Sequence, residues 1–213
     1  RVLPQKDRII YADVDVLFLD SLKGIWNRDI SDALLAGVKG ANNFQDKWKE
    51  CIQRSYGKEL QGLQGNYINS GILLMNLKAI RLENPDSRWL EMSKMQYHYQ
   101  DQDILNITCR EHIKYLDLRY NVFAHLTKKE FMRFAGEEIC SESECTDAIE
   151  HPAVLHYTGP KPWKNRGVNR AKEWWSYVDL QEDLCRLFDK SRIPKWKTTG
   201  LAGKLNRHLP FKI

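Results

Sequence analysis

The run "RIIYADVDVLFLD", residues 8–20, limits what this chain can fold into more than any other stretch. Its apolar, β-branched content predicts a buried strand over residues 8–19, and "RIIY" is the start expected of a central parallel strand. The same run carries three aspartates, Asp13, Asp15 and Asp20. Carboxylates are costly to bury unless something pairs with them. Alternation along a strand turns Asp13 and Asp15 to one face and Val14 to the other. Two like charges side by side raise each other's pKa, and a divalent cation cancels that repulsion. In open α/β sheets, ligands bind beyond the carboxyl ends of such strands. Oxygen donors suit Mg²⁺ or Mn²⁺, and an imidazole tilts the choice toward a transition metal. The plain alternative is a pair of strand-end carboxylates serving as caps or ion-pair partners. A metal-dependent phosphatase with Asp13 as nucleophile is a further reading, weakened by the continuation "VLFLD" where a Thr or Gly-Thr is usual.

Strands and helices alternate along the rest of the chain. Asp20 and Ser21 are good N-cap types for a short helix at 22–26. "ALLAGV" (33–38) predicts a strand, "DKWKECIQRSYG" (46–57) a helix, and "NYINSGILLMNL" (66–77) a strand with a Ser-Gly break. Helices follow at 85–99 and 101–111, a strand at 113–121, a polar surface excursion at 127–150, a strand at 152–159 and a helix at 169–190. This order implies an α/β domain with a mixed, mostly parallel sheet flanked by helices. Trp163, Trp174 and Trp175 are expected in core packing rather than as stacking platforms for a ligand.

The net charge of +5 is unevenly placed. Lys190, Arg192, Lys195, Lys197, Lys204, Arg207 and Lys212 make residues 190–213 basic with no acid among them, which leaves −2 for residues 1–189. Residues 1–189 are therefore expected to form the folded body and 190–213 a basic amphipathic tail. Trp196, Leu201, Leu205, Leu209 and Phe211 fit that tail to an anionic membrane surface. Nucleic acid is not an expected partner, because nothing resembles a recognition module. No apolar run is long enough to cross a bilayer and the first residues lack a signal-peptide pattern, so the expected location is cytoplasmic, peripheral on the inner face of the membrane. The five cysteines, Cys51, Cys109, Cys140, Cys145 and Cys185, are read as reduced thiols.

Four blocks in one order carry a more specific signal: "IIYADVDVLFLDSL", "INSGILLMNL", "YQDQDILN" and "LHYTGPKPW". Together they resemble glycosyltransferase family 8, which includes bacterial lipopolysaccharide galactosyl- and glucosyltransferases and the glycogenins. The resemblance implies a nucleotide-diphospho-sugar transferase fold of GT-A type. It also implies a UDP-galactose or UDP-glucose donor, a saccharide or lipid-linked saccharide acceptor, Mn²⁺ (or Mg²⁺), and transfer with retention. On this pattern Asp13, Asp15 and His156 are the metal ligands, and Val14 falls beside the donor. Gly159 and Lys161 fall where the family grips the diphosphate, and Asn69, Ser70, Asp101 and Gln102 where it holds the transferred sugar. Gln102 and Asp101 are the catalytic candidates, Gln102 steadying an oxocarbenium-like sugar.

General chemistry agrees with these roles. A metal ion and a lysine neutralise the charge that develops on a diphosphate leaving group. A glycine lets the backbone approach phosphate oxygens closely. Asp101 and Asp103 have a plain use as well, as caps of the helix that starts there. In the family a nucleotide-binding βα segment precedes the D-x-D strand, and here D-x-D begins at residue 13. The chain is therefore expected to be N-terminally incomplete. A degenerate member that binds sugar or partner without turnover is the alternative to an active enzyme.

Overall fold

The computed structural model describes residues 3–40, 59, 63, 65–83, 85–136 and 139–195. The helix expected at 46–57 and most of the basic tail, from Trp196 onward, lie outside the described residues. The chain divides into two compact units. The first comprises residues 1–122 and 128–155, the second residues 123–127 and 156–213.

Seven strands and nine helices are found among the described residues. The strands are β1 (Arg8–Ala12), β2 (Val16–Phe18), β3 (Leu35–Lys39), β4 (Ile68–Asn76), β5 (Ile113–Leu116), β6 (Val122–Phe123) and β7 (Val154–His156). The helices are α1 (Lys23–Trp26), α2 (Leu77–Glu83), α3 (Asp86–Met92), α4 (Asp101–Thr108), α5 (Lys128–Phe131), α6 (Arg133–Gly136), α7 (Glu142–Glu150), α8 (Ala171–Val178) and α9 (Glu182–Leu187). None of them is long and apolar enough to cross a membrane.

In the first unit a four-stranded sheet runs in the order β1-β4-β3-β5. It is mixed, but β4 pairs antiparallel with both its neighbours and only β3–β5 is parallel. The expected central parallel strand at residues 8–19 is instead an edge strand, partly exposed along its length, that stops at Ala12. The chain then turns through Asp13-Val14-Asp15 into β2, which belongs to a second sheet of order β2-β7-β6. One apolar run is thus two strands in two sheets, because carboxylates at 13 and 15 favour a solvated turn over a buried ladder.

The Ser-Gly break in β4 takes the form of a register shift. Gly37 of β3 faces Leu73, while Val38 faces Asn69, so Ser70-Gly71-Ile72 are the extra residues of β4 at that step. β4 stays paired on its other side, where Ala12 faces Ile72 and the Asp13 N–H reaches Gly71 O at 2.9 Å. Leu35, Ala36, Val38, Ile68, Ile72 and Leu74 are fully buried and form the centre of this sheet's core. The fully apolar character of "ALLAGV" and "ILLM" has that origin.

The segment 127–150 is more than a surface excursion. It folds as α5, α6 and α7 and buries Phe131, Phe134, Ile139 and Cys145. The long helices expected at 85–99 and 169–190 are shorter: the first ends at Met92, and the second is split into α8 and α9. In the second unit Trp175 is 4% exposed, and Trp174 packs on Trp163, Trp175 and Phe188 with ring centroids 4.9–5.3 Å apart. Trp175 is thus a core residue, as the sequence suggests, while Trp163 and Trp174 are half-buried in the aromatic cluster beside it. Residues 190–194 are folded onto the same unit: Arg166 donates to Ile193 O and Pro194 O, and Lys190 pairs with Asp179 at 2.5 Å.

Candidate functional site

Two polar assemblies stand out from the apolar sheet. The first is the D-x-D turn. Asp13 and Asp15 are half-buried, and Val14 at the tip is fully exposed. His156 is the last residue of β7, whose preceding residues pair into the same sheet as β2. One ligand atom each from Asp13, Asp15 and His156 lies within 4.8 Å of the others. Two ligands on opposite sides of a Mg²⁺-sized ion are roughly 4 Å apart at its bond lengths, so this spacing fits a single divalent cation. Two carboxylate oxygens and one imidazole nitrogen suit a first-row transition metal.

Tyr11, one turn of the pleat before Asp13, donates its hydroxyl hydrogen to Asp13 Oδ1 at 2.8 Å. That bond, then partial burial, then the charges of Asp13, Asp101 and Asp15 push the phenol up to about 12. The phenol therefore remains a donor at neutral pH. Its three acidic perturbers also show that Asp101, at the exposed start of α4, adds to the negative potential at the turn.

The second assembly lies where α4 meets β4. Gln102 is 6% exposed, and its Oε1 accepts two hydrogen bonds, from Asn69 Nδ2 at 2.7 Å and from the Ser70 N–H at 3.0 Å. Its Nε2 donates to Tyr67 Oη at 3.0 Å, and Tyr67 in turn donates to Asp103 Oδ1 at 2.6 Å. The Tyr67 phenol is driven far above its ordinary range, by burial first and then by the charge of Asp103. Asn69 Oδ1 accepts from Asn121 Nδ2 at 2.8 Å and from the Gly71 N–H at 3.0 Å.

One turn along α4, Asn106 bonds both the N–H and the C=O of Ile68 and so stands in for a neighbouring strand. The cap position of α4, Gln100, carries no side-chain cap hydrogen bond, and Asp103 instead ties down the residue before it. Asp103 Oδ2 accepts from the Tyr99 N–H at 2.8 Å.

The structure thus brings Asn69, Ser70 and Gln102 together. Tyr67, Asn106 and Asn121 complete the assembly and are missed by sequence reasoning. A signal for two of them is present: Tyr67 and Asn69 are two apart on a strand, and Gln102 and Asn106 four apart on a helix, so each pair shares a face.

Gly159 and Lys161 belong to the second unit. A Cβ on Gly159 would lie 3.1 Å from His125 Cγ, which makes local packing one reason for a glycine there. Thr158 Oγ1 and His125 Nδ1 lie 3.0 Å apart. The Lys161 ammonium donates to Tyr157 O, the carbonyl four residues earlier on its own loop.

Comparison with known proteins accords with this geometry. Glycosyltransferase GlyB of Streptococcus pneumoniae is 29% identical over 181 residues, 84% of this chain and 40% of GlyB. The lipopolysaccharide 1,3-galactosyltransferase of Salmonella typhimurium is 23% identical over 175 residues, 79% of this chain and 48% of the relative. The chain thus spans less than half the length of either protein. The galactosyltransferase LgtC, solved with donor and acceptor sugar analogues, superposes with a TM-score of 0.57 at 30% identity, covering 86% of this chain and 62% of LgtC. The fold is that of GT-A glycosyltransferases, with mixed sheets flanked by helices. Residues 1–167 match the model of glycosyl transferase family 8, and the chain belongs to that family.

Proposed function

We propose that this chain carries the catalytic domain, over residues 1–189, of a retaining hexosyltransferase. It would move galactose or glucose from a UDP-sugar to a saccharide acceptor in lipopolysaccharide or other surface-glycan synthesis. The observation that carries the proposal is the convergence of Asp13, Asp15 and His156 within 4.8 Å in a chain of this family. These three would hold Mn²⁺, or Mg²⁺ in its place. When bound, the cation supplies positive charge against the diphosphate of the donor and its leaving group.

The remaining roles fall to the chain's own side chains. Val14, exposed at the tip of the turn, would lie against the donor. Gly159 and Lys161 would contact the diphosphate, which requires the Lys161 ammonium to leave the Tyr157 carbonyl. Asn69, Ser70, Asp101 and Gln102 would hold the transferred sugar. Gln102 Oε1 already accepts two hydrogen bonds, which argues against that oxygen as a covalent nucleophile. Its second amide N–H is the group left to face a ligand, and a fixed dipole there can steady charge developing on the sugar. A front-face transfer follows, in which the departing diphosphate oxygen takes the proton of the incoming acceptor hydroxyl. LgtC has been solved as an active-site mutant in which a glutamine is replaced by glutamate, which supports a working glutamine in proteins of this kind.

The same reading places the protein in the cytoplasm, at the inner face of the membrane. Leu180 and Leu187, 76% and 72% exposed beside Arg186 and Lys190, support a lipid-facing role for the end of the chain. The test is UDP release from UDP-galactose and UDP-glucose, with Mn²⁺ and with chelator. Asp13→Asn and Asp15→Asn variants run in parallel. Metal-dependent release lost in the variants is expected. Release that ignores both metal and substitution would overturn the reading.

A further inference from the structure

Outside the candidate site, the Sγ atoms of Cys140 and Cys145 lie 2.7 Å apart. Helix α7 opens with a reciprocal cap: the Ser141 side chain accepts from the Glu144 N–H, and the Glu144 carboxylate accepts from the Ser141 N–H. Cys140 immediately precedes that cap, and Cys145 is the fourth residue of the helix. These are the two positions where an apolar contact normally pins the incoming chain to the first turn. Here a thiol occupies each of them. A disulfide needs sulfurs about 2.05 Å apart, and non-bonded heavy atoms ordinarily rest at about 3.5–4.0 Å, so the pair already lies well inside contact distance.

We propose that Cys140 and Cys145 form a reversible intrachain disulfide, a redox modification site at the start of α7. Cys140 is half-exposed and Cys145 fully buried, so Cys140 is the thiol that meets an oxidant. The oxidant is a small-molecule disulfide, with oxidised glutathione as the probe. The Cys140 thiolate attacks one glutathione sulfur, breaks its S–S bond, expels one glutathione thiolate and is left as a mixed disulfide. The Cys145 thiolate then attacks the Cys140 sulfur and expels the second glutathione. Two protein thiols are oxidised, one disulfide is reduced, and the two protons end on the two glutathiones. Burial holds the Cys140 thiol above its ordinary range, so the exchange is slow and the reduced pair persists in a reducing compartment. Helix α7 packs on the turn at Leu118–Asn121, and Asn121 bonds Asn69. The lock therefore sits one layer behind the polar assembly at Gln102.

The experiment treats the whole chain with oxidised glutathione, alkylates it, digests it with trypsin and weighs the fragments. Residues 140 and 145 fall on one tryptic peptide that begins at Phe134. The expected peptide has lost two hydrogens and carries neither alkyl group nor glutathione, and a thiol reductant restores both alkylation sites. Exposed Cys185 should take up glutathione in the same sample, which shows that the oxidant was competent. Cys145→Ser should trap the mixed disulfide on Cys140. Alkylation of both cysteines after oxidation, with Cys185 modified, would overturn the proposal, as would glutathione on both. The primary readout uses the unaltered chain, so it holds whether or not the variant folds.

Discussion

Tyr67 donates its hydroxyl hydrogen to Asp103 at 2.6 Å, and neither side chain reaches solvent. The same hydroxyl oxygen accepts from Gln102, so one atom fixes a buried carboxylate and orients a buried amide. Tyr67→Phe keeps the ring and deletes that atom. It leaves a carboxylate oxygen and an amide N–H short of a partner, and groups left so in a core cost about 1–3 kcal/mol each. A loss of about 2 kcal/mol or more in urea unfolding is expected. Asp103→Ala should cost more, since it also strips the Tyr99 N–H of its acceptor at the start of α4. Wild-type stability in Tyr67→Phe would mean that water or a rearranged Gln102 replaces the hydroxyl at no cost.

Gly24 shows a tighter constraint of a purely steric kind. A Cβ there would lie 1.9 Å from Tyr120 Oη and 2.9 Å from its Cζ. Tyr120 is only 9% exposed, so its ring has little room to swing away. Gly24→Ala, elsewhere a helix-favouring change, should instead destabilise by about 1–3 kcal/mol, as overpacking of a full core does. The double variant Gly24→Ala with Tyr120→Phe should recover part of that loss. No recovery would place the clash elsewhere.

Both residues illustrate how far a sequence reading goes. The strands at β3, β4 and β7 and the helix α4 are legible because their apolar runs and punctuation are strong, and the four family blocks name the candidate site residues. The D-x-D strand is misread for a physical reason. Apolar content over residues 8–19 outweighs the signal of two carboxylates, yet those carboxylates end β1 at Ala12 and send the chain into another sheet. Segment 127–150 is misread in the opposite sense, since its acids lie on α7's outer face while Phe131, Phe134 and Cys145 point inward. The Asn69–Gln102–Tyr67 assembly is half legible. Its members are far apart in sequence, and only the crossing of α4 over β4 joins them.

The cap of α7 makes a pH-dependent prediction. Hydrogen bonds from the Ser141 hydroxyl and N–H hold the Glu144 carboxyl below its ordinary value. A carboxyl depressed by folding contributes stability above its unfolded pKa, and that contribution is lost as pH falls through the depressed value. Ser141→Ala should cost about 1 kcal/mol at neutral pH, the usual worth of such a cap. The gap between variant and wild type should narrow in acid, where Glu144 is protonated. Urea titrations at neutral and acidic pH measure both numbers, and a gap that is constant with pH would remove Glu144 from the cap's energetics.

The D-x-D turn makes the strongest demand on a metal, because its stability should move in opposite directions with and without one. Asp13→Asn and Asp15→Asn each remove one of two neighbouring like charges, and the amide that Asp13→Asn introduces keeps an oxygen that can accept from Tyr11. In chelator, neither variant should melt below wild type, since relief of repulsion offsets the small loss of polar contacts. With Mn²⁺ at about a hundredfold excess over its dissociation constant, wild type gains about 2.7 kcal/mol by linkage, and each variant should gain far less. His156 is a poor choice for the same test, because it is 2% exposed and its removal would open the core beside Phe123. The Asp variants separate binding from folding in one melting experiment. Equal Mn²⁺ shifts in all three proteins would mean that the ion binds elsewhere and that the carboxylates serve the turn alone. A wild-type shift absent from both variants would assign the ion to Asp13 and Asp15 by a measurement that needs neither donor nor acceptor sugar.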